Sequence, residues 1–261
     1  MLSDFEMITH KFPNRPDLHI YPIADVHFGA AEHMEREWKH FCDTLLDDPN
    51  AYIILCGDLI NNATRNSVSN IFKETVSPRI QKRTMVEMLT PIKDRILCAV
   101  TGNHERRSVK DVDDDPTYDI LCKLDKEELY RENIAFVRVQ MGKVDGAGKK
   151  NPTYIFAVVH GSGGGALPGS VINKNERFGY AIDGIDCLIA AHSHKPMVSQ
   201  PAKIVVDAHN NKINIRPFKV VVATSWLDYG DYAVQKMLLP SSHCPQVLHL
   251  RGNRKEIKVE M

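Results

Sequence analysis

The stretch Leu18–Gly29, LHIYPIADVHFG, sets an apolar run of strand character against an aspartate and a histidine one residue apart. In a regular strand, side chains at i and i+2 share a face. The pattern therefore aims the Asp25 carboxylate and the His27 imidazole at one point in space. Taken alone, the stretch admits a surface accident, an ion pair or half of a metal site. Four further stretches repeat its form, each placing a metal-capable side chain just past a β-like run. YIILCGD (52–58) ends in Asp58, and RILCAVTGNHE (95–105) carries Asn103 and His104. TYIFAVVH (153–160) ends in His160, and CLIAAHSH (187–194) carries His192 and His194, again one residue apart. In open α/β sheets, ligands bind beyond the carboxyl ends of strands, where loops gather distant residues. Five such ends describe one converging polar site better than five independent accidents do.

Working outward, short β-like runs alternate with helical patterns. Strands are expected at 18–24, 52–57, 95–101, 134–140, 153–160, 186–191, 218–224, 232–239 and 246–250. A hairpin is expected from 203–207 and 212–215 around the HNN turn, and helices at 34–46, 79–90 and 117–130. The early β-α-β rhythm argues for α/β layers, and the later strands joined by turn residues for antiparallel pairing. The charged RRSVKDVDDDP (106–116) reads as an exposed loop. The glycine-rich GSGGGALPGS (161–170) lacks the GK[ST] ending of a phosphate-binding loop; it reads as a flexible active-site loop or a plain connector. No repeat and no linker stands out, so residues 1–261 are expected to form a single domain.

Composition narrows the function classes. The chain has 261 residues, with 33 Lys+Arg against 33 Asp+Glu and a formal net charge of zero. A dedicated duplex-binding domain is usually far more basic. The six cysteines are scattered with no CxxC spacing, so neither a disulfide framework nor a zinc–thiolate cluster is readable. The N-terminus lacks the apolar core of a signal peptide, and no apolar run approaches the ~18 residues of a membrane span. A cytoplasmic location follows as the expectation.

The motifs DVH, GDL, GNHE, VVHG and HSH, in this order over residues 25–194, resemble the calcineurin-like metallophosphoesterase superfamily. The resemblance implies an α/β fold, a four-layer α/β/β/α sandwich of two mixed β-sheets flanked by helices, with two metal ions at the sheet edge. By that resemblance Asp25, His27 and His194 hold one ion, Asn103, His160 and His192 the other, and Asp58 bridges them. His104 is then not a ligand but the catalytic group that stabilises the transition state or protonates the leaving oxygen. Two departures stand out. Ala191 precedes the final H-x-H where many relatives have glycine, a small residue expected to do little damage. Asn61 stands where phosphoprotein phosphatases carry a second aspartate oriented toward the catalytic histidine. An amide can hydrogen-bond His104 but cannot stabilise an imidazolium as a carboxylate does, which argues against the phosphoprotein-phosphatase branch; DVHFG and GDLI look closer to the diesterase and repair-exonuclease branches.

The chemistry stands on the residue types as well. A phosphate ester resists attack because its anionic oxygens repel a nucleophile. Two cations roughly 3.5–4 Å apart neutralise those oxygens and activate a water for in-line displacement. A mixed nitrogen and oxygen donor set suits Mn²⁺, Fe²⁺ or Zn²⁺ better than Mg²⁺, and Mn²⁺ is the expected pair. Arg106 and Arg107 follow the catalytic loop and either grip the substrate phosphate bidentately or are solvated charges. The expected activity is metal-dependent phosphoesterase hydrolysis, with phosphodiesters slightly preferred. A nuclease on DNA or RNA is the first alternative, with KVDGAGKK (143–150) and RGNRKEIK (251–258) as its basic segments. A binding module that has lost catalysis is the second, opposed by the presence of every expected ligand.

Overall fold

A computed structural model describes residues 3–65, 67, 70–142, 151–163, 167–235 and 237–261. The chain begins with β1 (Ile8–Pro13), β2 (Asp17–Ile23), α1 (Glu35–Asp47), β3 (Ala51–Leu55), α2 (Pro78–Leu89) and β4 (Ile96–Val100). It continues with α3 (Glu105–Val112), α4 (Pro116–Lys123), β5 (Tyr130–Arg131), β6 (Ile134–Gly142), β7 (Thr153–Val159) and α5 (Pro168–Ala181). Next come β8 (Cys187–Ala190), β9 (Met197–Ser199), β10 (Ala202–Asp207), β11 (Lys212–Pro217) and β12 (Lys219–Val222). Last are α6 (Asp231–Gln235), β13 (Val247–Arg251) and β14 (Ile257–Glu260).

Among the described residues, twelve strands build two mixed sheets of six. One has the order β1-β6-β7-β8-β12-β9, the other β14-β13-β2-β3-β4-β5, and β10-β11 forms a separate hairpin. In the second sheet β2, β3, β4 and β5 run parallel, while β13 and β14 add on in antiparallel fashion. In the first sheet β7, β8 and β12 run parallel.

The period-two alternation of a strand decides the layering. Along β7, Tyr154, Phe156 and Val158 join a core shared with Leu18, Ile20, Ile53 and Leu55 of the other sheet. The intervening Ala157 and Val159 enter a second core with Leu188, Val220 and Phe218, against which Ile172 of α5 packs. Trp38, Phe41 and Leu45 of α1 and Met85 and Leu89 of α2 are buried against the β2–β4 side. Helix, sheet, sheet and helix thus stack as four layers, the sandwich that the motifs imply. No helix among the described residues is long and apolar enough to cross a membrane.

Several local expectations differ from the structure. The charged 106–116 segment is largely helix: α3 runs from Glu105 to Val112 and α4 starts at Pro116. The inward residues of α3 are Glu105 and Ser108, so polar contacts rather than an apolar stripe hold it down. The helix expected over 117–130 stops at Lys123; Asp125 adopts a left-handed φ of 57°, and a single 3₁₀ turn leads into β5. No strand forms among the described residues of 232–239, whose start belongs to the short helix α6 (Asp231–Gln235). Helix α5, the edge strand β1 and the terminal β14 carry too much Gly, Ser or charge to stand out in the sequence. The glycine-rich 161–170 segment is partly outside the described residues, and its last three residues open α5. The basic 143–150 segment lies wholly outside them. The HNN hairpin forms as expected, with Ile204 opposite Ile215.

Candidate metal centre

The site lies where β2, β3, β4, β7 and β8 end. Asp25 and His27 are not on the strand itself, because β2 stops at Ile23. Both have left-handed backbone, φ 49° and 47°, as do Asp58 (53°), His192 (69°) and His194 (53°). Non-glycine residues are uncommon in this region, and such strained positions concentrate at functional sites. The same-face spacing of a strand is therefore replaced by a chain that turns sharply at each candidate ligand. Backbone bonds lock the turns together. Asp25 N–H donates to the Gly57 carbonyl (3.1 Å), His27 N–H to Asp58 (3.0 Å), and Trp226 N–H to Asp25 (2.9 Å).

Two glycines are required by close approach. A Cβ at Gly102 would lie 2.1 Å from Oδ1 of Asp58. One at Gly57, where φ is 85°, would lie 2.5 Å from the Gly102 nitrogen. The β3 and β4 loops thereby touch, and His104 N–H donates to Oδ1 of Asp58 (2.8 Å).

The side chains converge in two groups. In the first, Nε2 of His194 lies 3.3 Å and Nε2 of His27 3.8 Å from Oδ1 of Asp25, and the two imidazole nitrogens are 3.2 Å apart. In the second, Oδ1 of Asn103 lies 2.9 Å from Nε2 of His160 and 2.6 Å from Nδ1 of His192. Oδ2 of Asp58 is 3.3 Å from Nε2 of His160 and 3.8 Å from Nε2 of His27, so it borders both groups. All seven sequence-derived ligand candidates are brought together.

The donor set fits cations. Oδ1 of Asp25 is buried with no hydrogen-bond partner while two imidazole nitrogens face it. Atoms bound about 2.0–2.2 Å from a transition metal stand roughly 3–3.5 Å from one another, close to the separations seen here. His160 Nδ1–H donates to the Cys56 carbonyl (2.8 Å), which leaves Nε2 as its ligating atom. Without a cation the charges compensate internally. Burial alone would depress His160, but the Asp58 carboxylate raises it to about 10. Burial likewise opposes ionisation of Asp58, and His160 and His104 outweigh it, holding the carboxyl well below its usual range.

His104 sits beside His27 of the first group, ring centroids 4.2 Å apart, and its Nε2 lies 3.8 Å from Oδ2 of Asp58, with both ring nitrogens engaged. Nδ1–H donates to the Asn61 backbone carbonyl (2.9 Å), and Nε2 accepts from Arg107 (2.9 Å). Burial is the main reason its pKa falls to about 4. The expected contact from the Asn61 amide does not form: that amide donates to Glu74 instead. The two arginines part company. Arg107 reaches His104 and the Asn61 carbonyl, whereas the Arg106 guanidinium turns to Glu132 and Asn133.

One important group escaped the sequence reading. The Glu105 side chain is fully buried and accepts from four backbone amides. These are Asp58 (2.9 Å), Leu59 (2.7 Å), Ile60 (3.3 Å) and Gly102 (3.2 Å). Burial and the Asp58 carboxylate raise its pKa, opposed by the backbone amides, which favour the ionised form. Its signal was its place as the last residue of GNHE, but nothing local distinguishes it from a solvated helix-start glutamate. Ser225 is a second omission; its hydroxyl donates to the Asp25 carbonyl (3.3 Å).

The calcineurin-like phosphoesterase family profile matches residues 18–196, more than half of the chain and every candidate metal ligand, together with His104 and Glu105. The chain belongs to that family, whose members are metal-dependent phosphoesterases. Among solved structures, it is similar to a conserved uncharacterized protein from Streptococcus pneumoniae TIGR4, titled a "predicted phosphoesterase". That match has 10% identity and a TM-score of 0.33, over 94% of this chain and 98% of the other. No curated protein matches this chain significantly.

Proposed function

We propose that the protein is a dinuclear-metal phosphoesterase that prefers phosphodiesters. The observation that carries this reading is the position of the Asp58 carboxylate between two separate donor groups. Asp25, His27 and His194 would hold one ion, and Asn103, His160 and His192 the other, with Asp58 shared. The nitrogen and oxygen donors favour Mn²⁺, Fe²⁺ or Zn²⁺. Bound there, two such ions would neutralise the phosphate oxygens and lower the pKa of the attacking water.

The chain's own groups supply the remainder. Left-handed turns and the buried Glu105 carboxylate keep the ligands at fixed separations. Arg107 is the residue to which we assign phosphate binding. When its guanidinium moves to the substrate oxygens, Nε2 of His104 is freed to take up the proton released by the attacking water; as the imidazolium, with Nδ1–H still on the Asn61 carbonyl, it would give that proton to the leaving oxygen. A neutral carbonyl at Nδ1 supports an imidazolium less than a carboxylate does. That favours esters demanding less cationic help, namely diesters.

The nuclease alternative gains nothing from 251–258. Arg251, Arg254, Lys255 and Lys258 are paired with Asp17, Glu256, Asp186 and Glu260. The test is turnover of bis-p-nitrophenyl phosphate and of the monoester after Mn²⁺ loading, with and without a chelator. Metal-dependent turnover with higher kcat/KM on the diester is expected. A tenfold monoester preference would overturn the diesterase assignment.

A further inference from the structure

The β10-β11 hairpin lies outside both sheets, and among the described residues its two strands pair only with each other. Its register brings Ala202 opposite Pro217, Ile204 opposite Ile215, and Val206 opposite Ile213. Residues at alternate positions share a face, so these six form one side of the ribbon. It carries no charge and no side-chain hydrogen-bonding group. Ile204 and Ile215 are each 76% exposed, Ile213 73% and Val206 69%. On the opposite side the Lys203/Arg216 end is anchored to the body of the protein, where Lys203 donates to the Ile182 carbonyl and Arg216 to that of Gly184, while Lys212 and Asn214 at the far end are exposed. Apart from Val205, the residues of that opposite side are polar, whereas the wholly apolar side is turned to water. That is the reverse of what a solvent-facing hairpin requires.

An isolated two-stranded ribbon is at best marginally stable in water, and contiguous exposed apolar patches mark interaction sites. We propose that this face is a self-association surface, on which two copies of the chain stack their hairpins about a two-fold axis. Three features select a second copy. The patch is uncharged in every row, so identical faces meet without repulsion, as an isologous interface requires. The cations Lys203 and Arg216 point the other way, so nothing on the face would attract nucleic acid or an anionic surface. The area also suffices. The four large side chains offer about 100 Å² apiece; with Ala202 and Pro217, two copies bury roughly 1,000 Å². That is the threshold of a specific but weak interface, so association is expected in the micromolar range.

The experiment is sedimentation velocity of the full chain from about 1 to 100 µM, for wild type and for Ile204→Lys/Ile213→Lys. These residues sit diagonally across the ribbon, and two copies of the variant would bring four cations together. The expected result is a concentration-dependent shift of the wild type to twice the 29.5 kDa chain mass. The variant should remain monomeric with unchanged circular dichroism and unchanged turnover of bis-p-nitrophenyl phosphate. Hydroxyl-radical footprinting of the wild type keeps the proposal testable should the variant misfold. Ile204, Val206, Ile213 and Ile215 should lose reactivity at high concentration. A wild type monomeric throughout, a folded variant that still dimerises, or footprints that do not change with concentration would each overturn the proposal.

Discussion

Replacing Glu105 tests whether a buried carboxylate holds the metal centre in shape. Its two oxygens take up four backbone amides from the loops bearing Asp58 and Asn103, and the side chain has no exposure. Glu105→Ala orphans all four. Each buried unsatisfied donor costs about 1–3 kcal/mol, and water entering the vacated space recovers part of that. A net destabilisation of about 3–6 kcal/mol is expected. At roughly 2–4 °C per kcal/mol for a chain of this size, the melting temperature should fall by about 6–24 °C. Glu105→Gln is the sharper probe, because it conserves volume but presents only one acceptor oxygen. Its amide nitrogen must confront two of the four N–H groups, at a cost of about 2–4 kcal/mol. Because Asp58 N–H is one of the anchors, Mn²⁺ affinity should also drop by about 10–100-fold, as for other residues that orient ligands. Calorimetric melting and metal titration of the folded variant read the two effects separately. Melting within about 2 °C of wild type, or normal Mn²⁺ affinity in a destabilised Glu105→Gln, would refute the positioning role.

The other predictions concern the ligands, the catalytic histidine and an acid-sensitive contact. Elemental analysis after Mn²⁺ loading should give two ions per chain, and Asp58→Asn should weaken both sites, whereas His194→Ala should weaken one; saturation of wild type at one ion would exclude the dinuclear assignment. His104→Ala should retain its metal and lower kcat by about 10²–10⁴-fold, less for substrates with good leaving groups; loss of metal would make His104 a ligand. Away from the site, Asp48 is paired with His19 at 2.6 Å. Burial opposes its ionisation, but bonds from His19, the Asn50 amide and Tyr21 outweigh it, so its pKa is depressed. That contribution is present above the unfolded value, near 3.9, and is lost as pH falls through the lower folded value. Asp48→Asn should therefore cost about 1 kcal/mol at neutral pH and flatten the loss of stability below about pH 4; an unchanged acid limb would refute the linkage.

The sequence by itself determined the chemistry of the site. Metal coordination depends on atom types, and Asp25, His27, Asp58, Asn103, His160, His192 and His194 stand at the ends of apolar runs long enough to read as strands. The same runs determined the β-α-β order, because burial on both faces leaves near-continuous Val, Ile and Leu. Tertiary structure alone decided how those residues meet. The same-face spacing suggested a regular strand at Asp25 and His27, yet both adopt left-handed turns held by bonds to Gly57, Asp58 and Trp226, residues about 30 to 200 positions away. Backbone strain of that kind is imposed by distant contacts and leaves no local pattern. Glu105 illustrates the same separation: in sequence it directly precedes a charged, loop-like segment, but in space its carboxylate caps amides that lie 45 to 47 residues earlier. Arg106 and Arg107 are adjacent and chemically identical in sequence. Their positions on α3, about 100° apart around the helix axis, send one to Glu132 and the other to His104.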